Sequence, residues 1–251
     1  MQELLANLAH TTCYSAMIAE VKKCSIRRLP RRPSTSPFVA MNFPGRIASM
    51  ACEARIRRAL HLKVRPPGEA VWFAVEEFWI PRSNERADVA TIGSIIQAFE
   101  IKSDRDSLKR LPRQVIAYGR VFDRCTAVLA ERHVSRALEI LPDWWGVLTI
   151  TPADTPGFIA LRPPGRNNEV ESETLVRLLW RDEVHNALTA LGVAPDPRAS
   201  RTSLWEALLR AVDLDALKAI VRHALCHRDP ARARIPTRRF SPVEIMLPTA
   251  L

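Results

Sequence analysis

The chain has few cysteines, and none of them stands at a metal-binding spacing. Its 251 residues contain five, widely spread along the sequence and without a CxxC pair. An odd, dispersed set of this kind does not indicate a disulfide framework. The missing pairs also argue against an iron–sulfur cluster. The sequence therefore predicts a reducing, cytoplasmic setting and no iron–sulfur cluster.

Long apolar runs and nucleotide-binding loops are absent from the sequence as well. No run approaches the roughly 20 apolar residues that span a bilayer. The first residues include Glu3 and lack the basic start of a secretory signal. Neither GxxxxGK[ST] nor GxGxxG occurs. We therefore expect no membrane partner and no intrinsic nucleotide-driven motor.

Basic residues outnumber acidic ones. The chain has 37 Lys and Arg against 27 Asp and Glu, a formal net charge of +10 and a pI near 10.0. Such an excess favours polyanionic partners, although ribosome-like or membrane-surface binding would give the same sign. A hydrophobic fraction of 47% excludes global disorder and is enough for a sizeable core.

One hairpin concentrates the side chains that can carry chemistry. The runs from Ala87 to Ile92 and from Ile95 to Ile101 are rich in Val, Ile, Ala and Phe, and Gly93-Ser94 separates them. This pattern predicts two antiparallel strands joined by a tight turn. A helix is expected after Ser103, since apolar residues then recur at steps of three, four and seven.

The hairpin would bring two carboxylates and a lysine together. Side chains alternate along a strand, so Glu100 and Lys102 share one face while Ile101 points to the other. Asp88, near the start of the preceding strand, lies opposite the end of the returning strand and can meet Glu100 across the ladder. On the helix that follows, Arg110, Gln114 and Tyr118 stand at steps of four on one face.

Together these residues resemble the PD-(D/E)xK nuclease superfamily, in its QxxxY branch typified by the RecB nuclease domain. The resemblance covers roughly residues 52–150 and implies a restriction-endonuclease-like α/β core, an αβββαβ mixed sheet flanked by helices. It also implies that Asp88, Glu100 and the carbonyl of Ile101 ligate Mg²⁺ or Mn²⁺. Lys102 would orient the attacking water or help to deprotonate it. Gln114 and Tyr118, with Arg110 beside them, would contact DNA at the mouth of the site.

Two further acidic positions lie upstream of the hairpin. Glu53 heads a predicted helix at 52–62, and the resemblance makes it a candidate extra metal ligand. An acidic residue favourably placed at a helix N-terminus is an equally good explanation. Glu76 and Glu77 are adjacent in the first predicted strand, Ala70 to Ile80. Because neighbours in a strand face opposite ways, at most one of them is expected to approach the site.

The sequence divides into four segments. Residues 1–45 form a basic, proline-punctuated arm, and residues 46–164 form the nuclease-like domain. Residues 165–229 predict a helical appendage, which could grip DNA, bind a partner protein or cap the sheet. Residues 230–251 form a second basic, proline-containing tail.

The pattern predicts a Mg²⁺-dependent nuclease that hydrolyses DNA phosphodiesters, of the kind used in DNA repair, phage biology and defence. The alternative is a catalytically inactive DNA-binding or adaptor protein that retains the fold. RNA is a third possible substrate. The sequence leaves end cutting or internal cutting, polarity and oligomeric state open.

Overall fold

The computed structural model describes residues 53–63, 73–151, 157–228 and 239–240. The predicted N-terminal arm lies outside these residues, as does most of the predicted C-terminal tail. The described helices and strands, in chain order, are α1 Glu53–Lys63, β1 Phe73–Trp79, β2 Arg86–Ile92, β3 Ile96–Lys102, α2 Leu111–Gly119, β4 Arg124–Leu129, α3 Val134–Leu138, β5 Gly146–Thr151, β6 Gly157–Arg162, α4 Ser172–Leu175, α5 Arg181–Ala190, α6 Arg201–Ala211, α7 Leu214–His227 and β7 Arg239–Phe240.

Within these ranges, seven strands form one sheet in the order β6-β5-β4-β3-β2-β1-β7. The pairs β3–β4 and β4–β5 are parallel, and the other neighbours are antiparallel. The segments between β3 and β4 and between β4 and β5 contain α2 and α3, as parallel neighbours require. The molecule is therefore a mixed α/β protein, and the expected order of its first elements, αβββαβ, is present.

Helices cover both faces of the sheet. Ala98 and Phe99 are neighbours in β3 and point to opposite faces. Phe99 packs with Ile56 and Leu60 of α1. Ala98 belongs to the larger core, which extends through α2 and the C-terminal helices α5 to α7. The predicted helical appendage therefore shares one continuous core with the sheet.

The carboxylate of Asp123 links this helical layer to the sheet. Its Oδ2 accepts the backbone N–H of Ile96, at the start of β3, over 2.9 Å. Its Oδ1 lies 2.8 Å from the ammonium of Lys218 in α7, and both side chains are largely buried. Removing one partner of a charge pair that is buried in this way is costly, because the other charge stays buried without a counterion.

Several predicted boundaries differ from the structure. The hairpin turn has three residues, Gly93 to Ile95, instead of two. Within the predicted helical appendage, the stretch from Ser172 to Leu191 does not form one continuous helix, because Leu179 and Trp180 adopt extended backbone conformations. Two residues of the predicted basic tail, Arg239 and Phe240, pair with β1 as an edge strand.

Within the described ranges, no helix combines the length and the apolar composition that are needed to cross a bilayer.

Candidate active site

Strands β2 and β3 separate at the point where the candidate residues lie. Their paired residues run from Ile92 with Ile96 to Val89 with Phe99 and go no further, although β3 continues to Lys102. Beyond the last pair, Oδ2 of Asp88 accepts the backbone N–H of Ile101 over 2.6 Å. A side-chain carboxylate thus takes the place of a backbone carbonyl. The split leaves the acid beside the two residues that follow Phe99.

The carboxylate of Glu100 collects the other polar residues of the motif. Its Oε1 accepts from the Lys102 ammonium at 2.5 Å and from the Gln114 amide at 2.6 Å. Its Oε2 accepts from the Tyr118 hydroxyl. Glu100 is only 1% exposed. A buried carboxylate needs donors of this kind, because its desolvation would otherwise be strongly unfavourable.

Gln114 and Tyr118 have a position that the sequence did not predict. Both were expected at the mouth of the site in contact with DNA, but they are 3% and 0% exposed. The Tyr118 ring is stacked on Trp145, with 5.5 Å between ring centroids. Because the helical layer covers this face of the sheet, these two side chains support Glu100 and do not face outward. The predicted direct contact of Gln114 and Tyr118 with DNA is therefore wrong, because both side chains are buried.

The Tyr118 hydroxyl has a second neighbour, the carbonyl oxygen of Arg86 at 2.9 Å. A hydroxyl carries one proton to donate, and the charged carboxylate of Glu100 is the stronger acceptor. Burial, followed by the charge of Glu100, raises the pKa of Tyr118 well above its ordinary value. The phenol therefore stays protonated and acts as a fixed donor.

One buried acceptor in this network has no partner among the described residues. Gln114 gives its amide N–H to Glu100, which fixes the orientation of the amide group and turns its Oε1 away from that bond. This oxygen is buried and accepts no hydrogen bond. Buried polar atoms are rarely left in this state, and an exception calls for a ligand, an ion or a water.

Arg110 has a different environment from the two residues that follow it along the helix. It lies just before α2, and its guanidinium donates to Oε2 of Glu85 over 2.6 Å. The Arg110 side chain remains 57% exposed, whereas that of Glu85 is 9% exposed. Of the three side chains expected on one helix face, Arg110 is thus exposed, whereas Gln114 and Tyr118 are buried and donate hydrogen bonds to Glu100.

A second acidic group surrounds Arg57 of α1. Glu53, Glu77 and Asp88 each place a carboxylate oxygen within 4.8 Å of the other two. The Arg57 guanidinium lies 2.5 Å from Glu53, 3.0 Å from Glu77 and 3.7 Å from the carboxylate of Asp88. It also donates to the backbone carbonyl of Asp88 over 3.1 Å. An internal cation thus neutralises part of the acidic cluster.

Of Glu76 and Glu77, only Glu77 joins Glu53 and Asp88 in the carboxylate cluster, in agreement with the expectation that at most one of them approaches the site. Both carboxylates nevertheless lie within 4 Å of Arg57. The backbone of Glu77 explains this, because its φ of 51° is left-handed and strict alternation along β1 fails there. Such a conformation costs a non-glycine residue about 1–2 kcal/mol. The run FAVEEFW carries no signal of it, whereas the i,i+4 spacing of Glu53 and Arg57 could have suggested their pairing.

Burial and charge also alter the protonation of Asp88. Desolvation, followed by repulsion from Glu100, raises the pKa of Asp88 from 3.8 to about 8. The hydrogen bond from Ile101 and the charges of Arg57 and Lys102 oppose this rise without cancelling it. At neutral pH the folded protein therefore keeps a proton on Asp88, whereas the unfolded chain has lost it.

This difference predicts that stability falls as the pH rises. Because folded Asp88 binds a proton that the unfolded state releases, the free energy of unfolding declines between about pH 4 and about pH 8. Asp88→Asn should flatten that decline and raise the melting temperature near pH 8 by roughly 5 °C or more. Thermal denaturation in EDTA across this range measures the effect. The exposed Asp104→Asn is the control, and parallel profiles for wild type and Asp88→Asn would contradict the prediction.

Comparison with known proteins relates the chain to a phage family. A family model described as "Bacteriophage P4 protein cII" matches residues 61–240. Protein cII of Enterobacteria phage P4 is 26% identical over 155 residues, which cover 61% of this chain and 58% of that protein. The chain thus matches less than two thirds of the length of this curated relative.

A solved structure was also found to be similar. It is the SPO1766 protein of unknown function from Silicibacter pomeroyi, which is 20% identical and aligns over 75% of this chain and 97% of its own. The TM-score is 0.34, which is too low to relate the two folds.

Proposed function

The chain belongs to the bacteriophage P4 protein cII family, and we propose that it is a divalent-metal-dependent nuclease acting on DNA. The names of the family and of the relative state no activity. The proposal therefore depends on the chemistry of the candidate site.

One observation carries it. Lys102, Gln114 and Tyr118 all donate to the carboxylate of Glu100, and Asp88 binds the N–H of the residue after Glu100. The side chains of these five polar residues, which the sequence groups as one motif, thus lie together where β2 and β3 separate. An ordinary surface ion pair would not need three hydrogen-bond donors, supplied by a strand and a helix, on one buried carboxylate.

The donor set suits a hard cation. Mg²⁺ and Mn²⁺ favour oxygen ligands and few carboxylates, with substrate and water completing the coordination. Asp88, Glu100 and the carbonyl of Ile101 would hold the ion, and Glu53 and Glu77 are acids close to Asp88. The Oε1 of Gln114 is a buried acceptor near Glu100 that has no hydrogen-bond partner among the described residues. When bound, such an ion would lower the pKa of a water and stabilise charge on the phosphate.

The chain's own residues would provide the positioning. Gln114 and Tyr118 fix the rotamer of Glu100, so its carboxylate does not reorganise when substrate arrives. Lys102 has a side chain only 9% exposed and held at 2.5 Å from Glu100, and it would orient the attacking water or accept its proton. Asp88 would release its proton when it becomes a ligand, because metal binding requires the carboxylate.

The proposal extends to a more specific assignment of the fold. We assign the elements α1 to β4 to a restriction-endonuclease-like core of the PD-(D/E)xK superfamily. The order of these elements and the mixed sheet support the assignment. Helices α5 to α7 cover the face on which Gln114 and Tyr118 lie and keep water from it.

A specific observation favours a second candidate, a non-catalytic DNA-binding protein. The Arg57 guanidinium already lies among the carboxylates of Glu53, Glu77 and Asp88, where it neutralises charge that a divalent ion would otherwise balance. A protein that had replaced its metal by an arginine would bind DNA with no dependence on Mg²⁺.

A panel of labelled substrates separates the two candidates. Purified protein is incubated with single-stranded DNA, duplex DNA and RNA, in Mg²⁺, in Mn²⁺ and in EDTA. The nuclease proposal expects cleavage of DNA that EDTA abolishes and that Glu100→Gln removes. Salt-sensitive DNA binding that is indifferent to Mg²⁺ and to Glu100→Gln, with no cleavage, would establish the non-catalytic alternative. Cleavage confined to RNA would replace DNA as the substrate.

A further inference from the structure

The segment between β3 and α2 is a loop that leaves the candidate site and returns to it. It follows Lys102, the last residue of β3, and it leads to Gln114 in the first turn of α2. Both of these residues donate to the same oxygen of Glu100. Whatever the intervening residues present to solvent is therefore held at the rim of the site. We call residues 103–113, which are this loop and the first three residues of α2, the rim loop.

Local hydrogen bonds give the rim loop a defined shape. The backbone N–H and the hydroxyl of Ser103 both donate to the carboxylate of Asp106. The N–H of Asp106 returns a bond to the carbonyl of Ser103 over 3.1 Å. Arg132 and His133, from the next turn of chain after β4, contact the carbonyls of Asp106 and Ser103. A preformed loop loses less entropy when it binds a ligand.

The rim loop is rich in exposed positive charge. Arg105, Lys109, Arg110 and Arg113 are all exposed. Arg110 is held by Glu85, and Arg113 lies 3.8 Å from the same carboxylate. Arg105 and Lys109 differ from these two, because neither has a charged or hydrogen-bonding partner among the described residues. Among the described residues, no intramolecular contact explains why these two positions carry a positive charge.

We propose that the rim loop binds the phosphate backbone of DNA, with Arg105 and Lys109 as its contacts, on either side of the phosphodiester at the site. The inference deepens the proposed nuclease function and rests on it for the identity of the polyanion. Cations without an intramolecular partner lose no protein contact when they bind phosphate, and they release counterions from the DNA. Arg110 and Arg113 would first have to leave Glu85.

Fluorescence anisotropy with a labelled DNA duplex tests the loop apart from cleavage. Binding is measured in EDTA at several KCl concentrations for wild type and for Arg105→Ala/Lys109→Ala. The double variant should bind roughly tenfold more weakly, with a log–log salt slope shallower by about 0.9 for each lost phosphate contact. Neither side chain has a partner among the described residues, so folding should be unchanged, and circular dichroism checks this.

The matched control is Arg198→Ala/Arg210→Ala. It removes the same charge from two exposed arginines on the C-terminal helical side of the chain. Equal losses in the two double variants, or no loss in the rim-loop variant, would overturn the proposal. Stronger binding to an RNA duplex of the same sequence, equally dependent on the loop, would overturn the choice of DNA. The nuclease proposal fails separately, if wild type binds DNA in a loop-dependent manner but never cleaves it in Mg²⁺ or Mn²⁺.

Discussion

Lys102→Ala is expected to reduce metal-dependent DNA cleavage by roughly a hundred- to ten-thousandfold, the range that a positioned proton-transfer group contributes. The ammonium is held against Glu100 and the Lys102 side chain is only 9% exposed, so a solvent molecule would not reproduce its position. DNA binding in EDTA should stay close to that of wild type, since the side chain is too buried to contact the backbone of a strand directly.

The measurement compares initial rates of cleavage in Mn²⁺ for wild type and variant. Removing one partner of a buried ion pair can cost about 3–5 kcal/mol of stability, so circular dichroism must accompany the rates. Lys102→Met retains the length and apolar stem of the side chain and gives a second, better packed variant. Arg198→Ala controls for the loss of one positive charge. Wild-type rates in folded Lys102→Met would exclude a role for the ammonium in cleavage.

Tyr118→Ala is expected to destabilise the protein by about 3–5 kcal/mol, as other truncations of large buried aromatic side chains do. The ring is fully buried and lies between Trp145 and Phe122, with centroids 5.5 and 5.3 Å away. Tyr118→Phe keeps this packing and removes only the hydroxyl, which should cost about 1–3 kcal/mol because Glu100 loses a donor. Urea denaturation measures both variants.

The two variants distinguish packing from support of the carboxylate. Ile116→Ala, at an exposed position of the same helix, is the control and should change the free energy of unfolding by no more than about 0.5 kcal/mol. Tyr118→Phe should also reduce cleavage, since its Glu100 carboxylate is less firmly oriented. An Ala variant no less stable than the Phe variant would mean that the ring packing contributes nothing.

Strand alternation was enough to predict part of the candidate site. Glu100 and Lys102 share a face and interact directly, as a two-residue period requires. The position of Asp88 beside the end of β3 also followed from the antiparallel hairpin, although its hydrogen bond goes to Ile101. These relations are local, and they depend only on strand geometry and on a short turn.

The relations that sequence reasoning missed depend on tertiary packing. The spacing of Gln114 and Tyr118 indicates a shared helix face, but it does not indicate that α5 to α7 cover the same side of the sheet. Burial of these two residues could not be inferred without that layer. The left-handed backbone of Glu77 is likewise set by its surroundings, since no glycine or turn residue marks the position.

The contact between Asp123 and Lys218 has a consequence for how the chain can be divided. A shortened protein ending before α7 would lose the ammonium and leave the carboxylate without its counterion at the foot of β3. The opposite end of that strand carries Glu100 and Lys102. Removing the C-terminal helices to isolate a minimal catalytic fragment should therefore yield an insoluble or misfolded product. A fusion tag should be added to a chain that retains these helices.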